Sequence, residues 1–250
     1  MTRQTPIPSQ SACPSSLRIG AMDFDGSDIA LLNFRNSLQS VPANRTLLHD
    51  GADSGKIIIV ADGWLATSKS SLSGEVQLID LLLPGDIADP TSADGKTAGL
   101  NIEAVTDAKV CAIPLPVWHK MLAASPRLAR ANELVQAAER SRLSERMLRL
   151  GRGSAESRIA YALIELSLRL KPLGLSENGA FHLPLTQQRI GDFTGLTAVH
   201  VCRTLRRFVR NGLVETADHM DVRINDLTTL AKVAGVEPDR LAAEITPVPD

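Results

Sequence analysis

Between Thr186 and Gly212 the chain reads Thr-Gln-Gln-Arg-Ile-Gly-Asp-Phe-Thr-Gly195, then Leu-Thr-Ala-Val-His-Val-Cys-Arg203, then Thr-Leu-Arg-Arg-Phe-Val-Arg-Asn-Gly212. Few local architectures accept that order. Thr186 can cap a first helix, because its hydroxyl accepts an orphan backbone N–H. Ile190 and Phe193 give that helix an apolar face. Gly191 lets a second helix approach, and Gly195 can turn the chain through a left-handed conformation. Thr197 then caps a second helix whose Val201, Leu205 and Phe208 face a core, and Gly212 ends it. The remainder of that helix is polar or basic: Arg203, Arg206, Arg207 and Arg210 stand with no acid between 197 and 211.

A short helix, a glycine turn and an arginine-rich second helix are what a protein uses to push one helix into a DNA major groove. Arginine can donate two hydrogen bonds to guanine or hold a phosphate. Ala198, Val199, His200 and Arg203, early in the second helix, are the expected base-edge residues, with Thr186 and Gln187 beside them. Arg206 and Arg207 are expected at phosphates or folded back on the protein. The competing reading is a solvated basic helix in an ordinary helical domain, its arginines favoured by the dipole at the helix end. Two short strand candidates follow, Leu213-Val-Glu-Thr216 and Met220-Asp-Val-Arg-Ile224, which suit a small wing beside the second helix. They suit a plain structural hairpin as well.

The whole chain is not basic. Its 250 residues carry a net charge of -1, so a nucleic-acid surface has to be local. Residues 151–216 hold nine Arg plus Lys against five Asp plus Glu, a local excess of four. The cysteines, at 13, 111 and 202, have no metal-ligand spacing and do not suggest a disulfide framework, which fits a reducing cytoplasm. No signal-peptide pattern and no apolar run of membrane-spanning length is present.

Residues 1–20 are rich in Pro, Ser and Gln and are predicted to be a disordered lead-in. Asp28 to Leu38 suits a short helix. From 45 to 117, short β-rich runs such as Lys56-Ile-Ile-Ile-Val-Ala61 and Val76-Gln-Leu-Ile-Asp-Leu-Leu-Leu83 alternate with Gly and Asp turns, which predicts a barrel or jelly roll. From about 116 the period becomes helical. Leu128, Ala131, Leu134, Val135 and Ala138 form a stripe on a helix predicted over about 126–149, roughly 35 Å long at 1.5 Å per residue. That length favours a dimer interface on this stripe; the alternative is a linker helix packed within its own chain. Gly151-Arg-Gly153 breaks the helix, Ala155 to Leu170 forms the next, and Asp226 to Ala234 is expected to be a last short one.

This order of parts resembles the CRP/FNR family of bacterial transcription regulators over nearly all of the chain after residue 25. Leu82-Leu-Pro-Gly-Asp86, Ser154-Ala-Glu-Ser-Arg-Ile-Ala160, Leu183-Pro-Leu-Thr-Gln-Gln188 and the run from Gly195 to Leu205 carry the resemblance, and Gly63 and Gly74 fall where the barrel turns are expected. It implies an α+β fold: an N-terminal cyclic-nucleotide-binding-type β jelly roll over 21–125, a long dimerisation helix over 126–150 and a C-terminal winged helix-turn-helix over 151–250. It further implies a cytoplasmic homodimer on a palindromic double-stranded DNA operator, with RNA polymerase as a partner and no role at a membrane.

Departures from the family pattern narrow the signal sensed. Members that bind cyclic AMP carry a Gly-Glu and an Arg-Ser/Thr-Ala segment after the Gly-Asp turn. Here residues 87–101 contain neither, and Lys96 is their one cation. A cyclic nucleotide is therefore not expected. Only Cys13 lies in the region where other members hold an iron–sulfur cluster, and His49 and His119 are isolated, so no cofactor or metal is expected. Arg203 matches the arginine that members of the nitrogen-fixation and anaerobic-control branch use to read a half-site, but Val199 stands where they place a glutamate. An unidentified small molecule in the barrel, or oxidation of Cys202 beside Arg203, would be the alternative gate. Catalysis would rest on Asp86 or Asp89 with a histidine, at no defined spacing, and no enzyme motif is present.

Overall fold

The computed structural model describes residues 17–20, 22–24, 38–217 and 221–247. Two four-stranded antiparallel sheets make the N-terminal jelly roll. One runs β3 (Leu38–Val41), β10 (Ala108–Pro114), β5 (Lys56–Asp62), β8 (Ile87–Ala88); the other runs β4 (Thr46–Leu48), β9 (Asn101–Ala104), β6 (Leu65–Ser70), β7 (Val76–Leu82). Val60, Leu65, Leu82, Ile102 and Val110 fill the space between them. Alternate residues of a strand face opposite sides of a sheet, so Ile57 and Ile59 of β5 point outward and need cover of their own. The turns lie where the sequence placed them. Gly63 has φ +77°, and a Cβ there would sit 2.3 Å from the carbonyl oxygen of Asp107.

Cover for the first sheet comes from α1 (Leu115–Ala124), α2 (Pro126–Arg152) and the hairpin of β1 (Leu17–Ile19) and β2 (Met22–Phe24). Two expectations are corrected by this arrangement. Leu17–Ile19, expected in a disordered lead-in, form a strand with Ile19 fully buried, while residues 1–16 of that lead-in lie outside the described residues. On α2, Leu128, Ala131, Val135 and Ala138 are buried within the single chain, and Leu134 is half-buried. Leu128, Ala131 and Val135 pack in the same apolar cluster as Ile57, Ile59 and Cys111. Leu128, Ala131 and Val135 therefore belong to the chain's own core, and of the stripe Leu134 alone stays partly open to solvent. A helical period identifies which face is buried but not what buries it. The predicted helix at 28–38 lies outside the described residues apart from Leu38, which begins β3.

Helix α2 is capped at its start by Ser125 and runs through Gly151, ending at Arg152 rather than near 149, with Gly153 as its C-cap. The C-terminal part then opens with α3 (Ala155–Leu170), followed by β11 (Ser176–Glu177), β12 (Ala180–His182), α4 (Gln187–Thr194), α5 (Ala198–Arg210), β13 (Val214–Ala217) and β14 (Asp221–Ile224). The wing is a four-stranded sheet of order β11-β12-β14-β13, two strands more than the sequence suggested. Its tip at 218–220 lies outside the described residues. Helix α6 (Leu227–Ala234) is not the last, because α7 (Pro238–Ile245) follows and buries Leu241 and Ile245. No helix among the described residues is long and apolar enough to cross a membrane.

The outer face of the second sheet is covered by this C-terminal part. Ala66, Leu78, Leu81 and Leu83 share one apolar cluster with Ile159, Leu163, Phe193 and Phe208. Beside it lies a buried charge cluster joining three elements. Asp80 of β7 accepts from Arg142 at 2.8 Å and from Arg146 at 2.6 Å, both on α2. Arg146 also pairs with Glu165 of α3 (Nε to Oε2 2.9 Å), and Arg169 of α3 reaches Glu165 at 3.1 Å and Asp86 at 2.7 Å. Three acids face three arginines, and Asp80, Glu165 and Arg142 are at most 1% exposed. Burial alone would raise the Asp80 carboxyl; the guanidiniums of Arg142, Arg146 and Arg169 outweigh it and hold the group well below the usual carboxylate range. Glu165 is lowered in the same way, burial being outweighed by Arg146 and Arg169.

Glu139, one turn before Arg142 on α2, behaves oppositely. Burial together with the charges of Asp80 and Asp86 outweighs Arg142 and Arg146 and pushes it up to about 7. A carboxyl raised by folding weakens the fold as pH climbs from its ordinary value of 4.5 through about 7. Glu139→Gln is therefore expected to stabilise the protein more at pH 8 than at pH 5, as read by urea unfolding at both. An equal effect at the two pH values would contradict this assignment.

Candidate nucleic-acid interface

The helix-turn-helix is held by the caps that the sequence marks. Thr186 Oγ1 accepts from Arg189 N at 3.2 Å, and Thr197 Oγ1 accepts from His200 N at 3.4 Å. Gly195 has φ +65°. A Cβ at Gly191 would lie 2.3 Å from the carbonyl oxygen of Leu196, so only glycine admits this crossing of α4 and α5. Val201 and Phe208 are buried as expected, Leu205 is half-buried, and Thr204 is buried beside them.

Opposite that buried face, α5 presents Val199, His200, Arg203, Arg206 and Arg210 to solvent. Spacings of four, three and four from Val199 through Arg203 and Arg206 to Arg210 put one apolar and three cationic side chains on a single face. Among the described residues Arg203, Arg206 and Arg210 make no ion pair or hydrogen bond, so their donors are available. Arg207 folds back and pairs with Glu156 on α3. Ala198 is half-buried, while Thr186 and Gln187 are exposed at the start of α4. Cys202 is a half-buried free thiol beside Arg203.

Helix α4 also rests on the barrel. Arg189 pairs with Glu103 of β9, and the Gln77 amide of β7 donates to the carbonyl of Phe193 at 3.3 Å. These contacts leave no local sequence signal, since residues 86 and 116 positions apart make them. The charge cluster left a fainter trace: Asp80 interrupts an apolar strand, and Glu165 and Arg169 interrupt an apolar helix.

Loop 87–101 is tied to its surroundings by its own backbone. Ser54 N donates to Lys96 O at 3.0 Å, Gly51 N to Ala98 O at 2.8 Å, and Asp94 accepts from the N–H groups of Lys96 and Thr97. The Lys96 side chain is exposed. Among the described residues no three His, Cys, Asp or Glu side chains converge as a metal site, and His49 and His119 are both exposed.

A jelly roll joined by a long helix to a winged helix-turn-helix defines a class of two-part DNA-binding regulators. Residues 38–125 match the model of the cyclic nucleotide-binding domain, and residues 157–233 match that of the Crp-like helix-turn-helix domain. The chain is 32% identical over 219 residues to the transcriptional activator protein FnrA of Stutzerimonas stutzeri, covering 88% of this chain and 87% of that one. It is also 32% identical over 186 residues to the transcriptional activator protein Anr of Pseudomonas protegens, covering 74% and 75%. In fold it is similar to FixK2 of Bradyrhizobium japonicum, with a TM-score of 0.71 over 80% of this chain and 98% of that one, at 24% identity. The chain belongs to the CRP/FNR family of transcription regulators, which is not a class of enzymes.

Proposed function

We propose that two copies of this chain bind a palindromic operator, each laying α5 in a major groove, and that they do so without a cyclic nucleotide. The observation that carries the reading is the exposed face of Val199, Arg203, Arg206 and Arg210, whose cations have no partner among the described residues. Arg203 and His200 are the base-reading groups, Val199 suits a thymine methyl, and Arg206 and Arg210 suit phosphates. Thr186 and Gln187 support them from the start of α4. On contact, Arg207 exchanges Glu156 for a phosphate.

The dimer face lies on the side of α2 away from the barrel. Leu134, Ala137, Ser141, Ser144 and Leu148 recur there at spacings of three and four, and Leu148 is 54% exposed. Small and apolar residues at that period suit close packing against a second copy. Independence from cyclic AMP rests on loop 87–101, which lacks an arginine and is bonded onto itself, and on the apolar packing between the sheets. The three cysteines are dispersed in sequence, with Cys111 fully buried in the barrel, which supports regulation without an iron–sulfur cluster. The similar proteins FnrA and Anr are transcriptional activators, which favours activation here, and hence RNA polymerase as a partner. Cys202, half-buried beside Arg203, keeps oxidation as a second means of control.

Counterion release tests the reading. Each neutralised phosphate contributes about -0.9 to the slope of log affinity against log salt. With two or three phosphate-facing arginines per copy, a dimer is expected to show a slope of about -4 to -5 on duplex DNA. A slope near zero would overturn the proposal.

A further inference from the structure

The segment Ser154-Ala-Glu-Ser-Arg158 forms the N-cap and first turn of α3 and is not part of the exposed face of Val199, Arg203, Arg206 and Arg210. Its side chains reach α5, α6, the end of α2 and the turn after α4. Ser154 caps α3, Glu156 holds Arg207 of α5, and Ser157 Oγ donates to the carbonyl of Ala234 on α6 at 3.4 Å. Arg158 does the most. Its Nη2 donates to Leu150 O at 2.9 Å and its Nε to Gly153 O at 3.1 Å. Its Nη1 donates to Thr194 O at 3.4 Å and Gly195 O at 3.3 Å. One guanidinium thus joins the last turn of α2, the hinge after it and the turn of the helix-turn-helix. Apolar contact backs it, because a Cβ on Gly195 would come within 2.8 Å of the Leu150 side chain.

The chemistry suits arginine alone. The last carbonyls of a helix lack intrahelical donors and sit at the negative end of its dipole. Arg158 meets two such ends, those of α2 and α4. A planar fork with five donors can reach four carbonyls from three segments, whereas an ammonium on a flexible stem cannot span them.

We propose that Arg158 is a positioning residue for DNA recognition. It welds the end of α2 to the turn between α4 and α5, so that the course of α2 sets the angle at which α5 meets DNA. The inference rests on the reading of α5 as the DNA-reading helix. Arg158 needs no contact with DNA in this role. A shift of the α2 end, whether from pairing with a second copy or from strain in the barrel, passes to the N-terminus of α5 directly.

Two measurements on the full chain test it. Amide hydrogen exchange without DNA compares wild type with Arg158→Lys. Exchange over 194–201 is expected to rise about tenfold while the α3 core at 159–166 is unchanged. Operator affinity is expected to fall about tenfold, with non-specific binding and the salt slope unchanged. Unchanged exchange over 194–201 would overturn the clamp, as would a reduced salt slope, which would make Arg158 a phosphate contact. Should Arg158→Lys fail to fold, Leu150→Ala removes the apolar half of the joint and leaves its hydrogen bonds. It is expected to loosen the same amides, and no change there would overturn the proposal. Failure of wild type to prefer any DNA sequence would remove the DNA reading, while the exchange data would still decide whether the clamp exists.

Discussion

Asp80→Ala is expected to destabilise the fold by about 3–5 kcal/mol, the range for breaking a buried ion pair by removing one partner. Arg142 and Arg146 would lose a shared carboxylate while remaining out of water. Their remaining acceptors cannot make up the loss. Glu165 already serves Arg146 and Arg169, and Asp86 lies 3.9 Å from Arg142. A typical domain is stable by only about 5–15 kcal/mol, so this single change removes a large share. It should also loosen the C-terminal domain from the barrel, since the cluster joins β7, α2 and α3. Urea unfolding measures the first effect, and limited proteolysis between 150 and 156 the second. A loss below about 1 kcal/mol would show that the cluster is not a dry, mutually dependent network. The same groups give an acid limb. Asp80 and Glu165 are held below their ordinary values of 3.8 and 4.5, so their contribution is present above those values and is lost as pH falls beneath them.

Arg203→Ala is expected to abolish operator preference while leaving fold and dimer intact. A bidentate arginine-to-guanine contact discriminates against the wrong base by about 1–3 kcal/mol per half-site. With two half-sites, operator affinity should fall about 30-fold or more, whereas affinity for random duplex should change little. The side chain is exposed and makes no ion pair or hydrogen bond among the described residues, so stability has little reason to change. Arg206→Ala serves as the contrast. A phosphate contact weakens binding on every sequence and lowers the salt slope by about 1 per copy. If Arg203→Ala keeps its operator preference and lowers the salt slope instead, the two roles are reversed.

How much of this the sequence carried depends on the range of each interaction. Caps and turns are decided within a few residues, so Thr186, Gly195, Thr197 and Gly212 marked the helix-turn-helix correctly. The Asn178-Gly179 turn, with φ +49° and +75°, is also a local hairpin signal and marks the two wing strands absent from the sequence reading. Helix α7 was equally legible, with Pro238 at its start and Leu241 and Ile245 one turn apart. The stripe at 128–138 shows the other case. Its period established burial, but its partner was the outer face of β5 and β10, far away in the chain. Nor did Arg142 and Arg146 stand out as core residues. Their acids lie at 80, 86 and 165, and no spacing rule links positions that meet only after folding. The distribution of arginines along α5 made the candidate DNA face readable; the four carbonyls that hold Arg158 were not.

The most direct test of the central claim is selection of bound sequences from a random duplex pool by the purified, reduced protein with no ligand added. An enriched palindrome is expected, with its two half-sites about one helical turn apart and a guanine in each that Arg203→Ala no longer selects. Absence of any enriched sequence, from protein that is folded and dimeric, would contradict a regulator that reads DNA on its own.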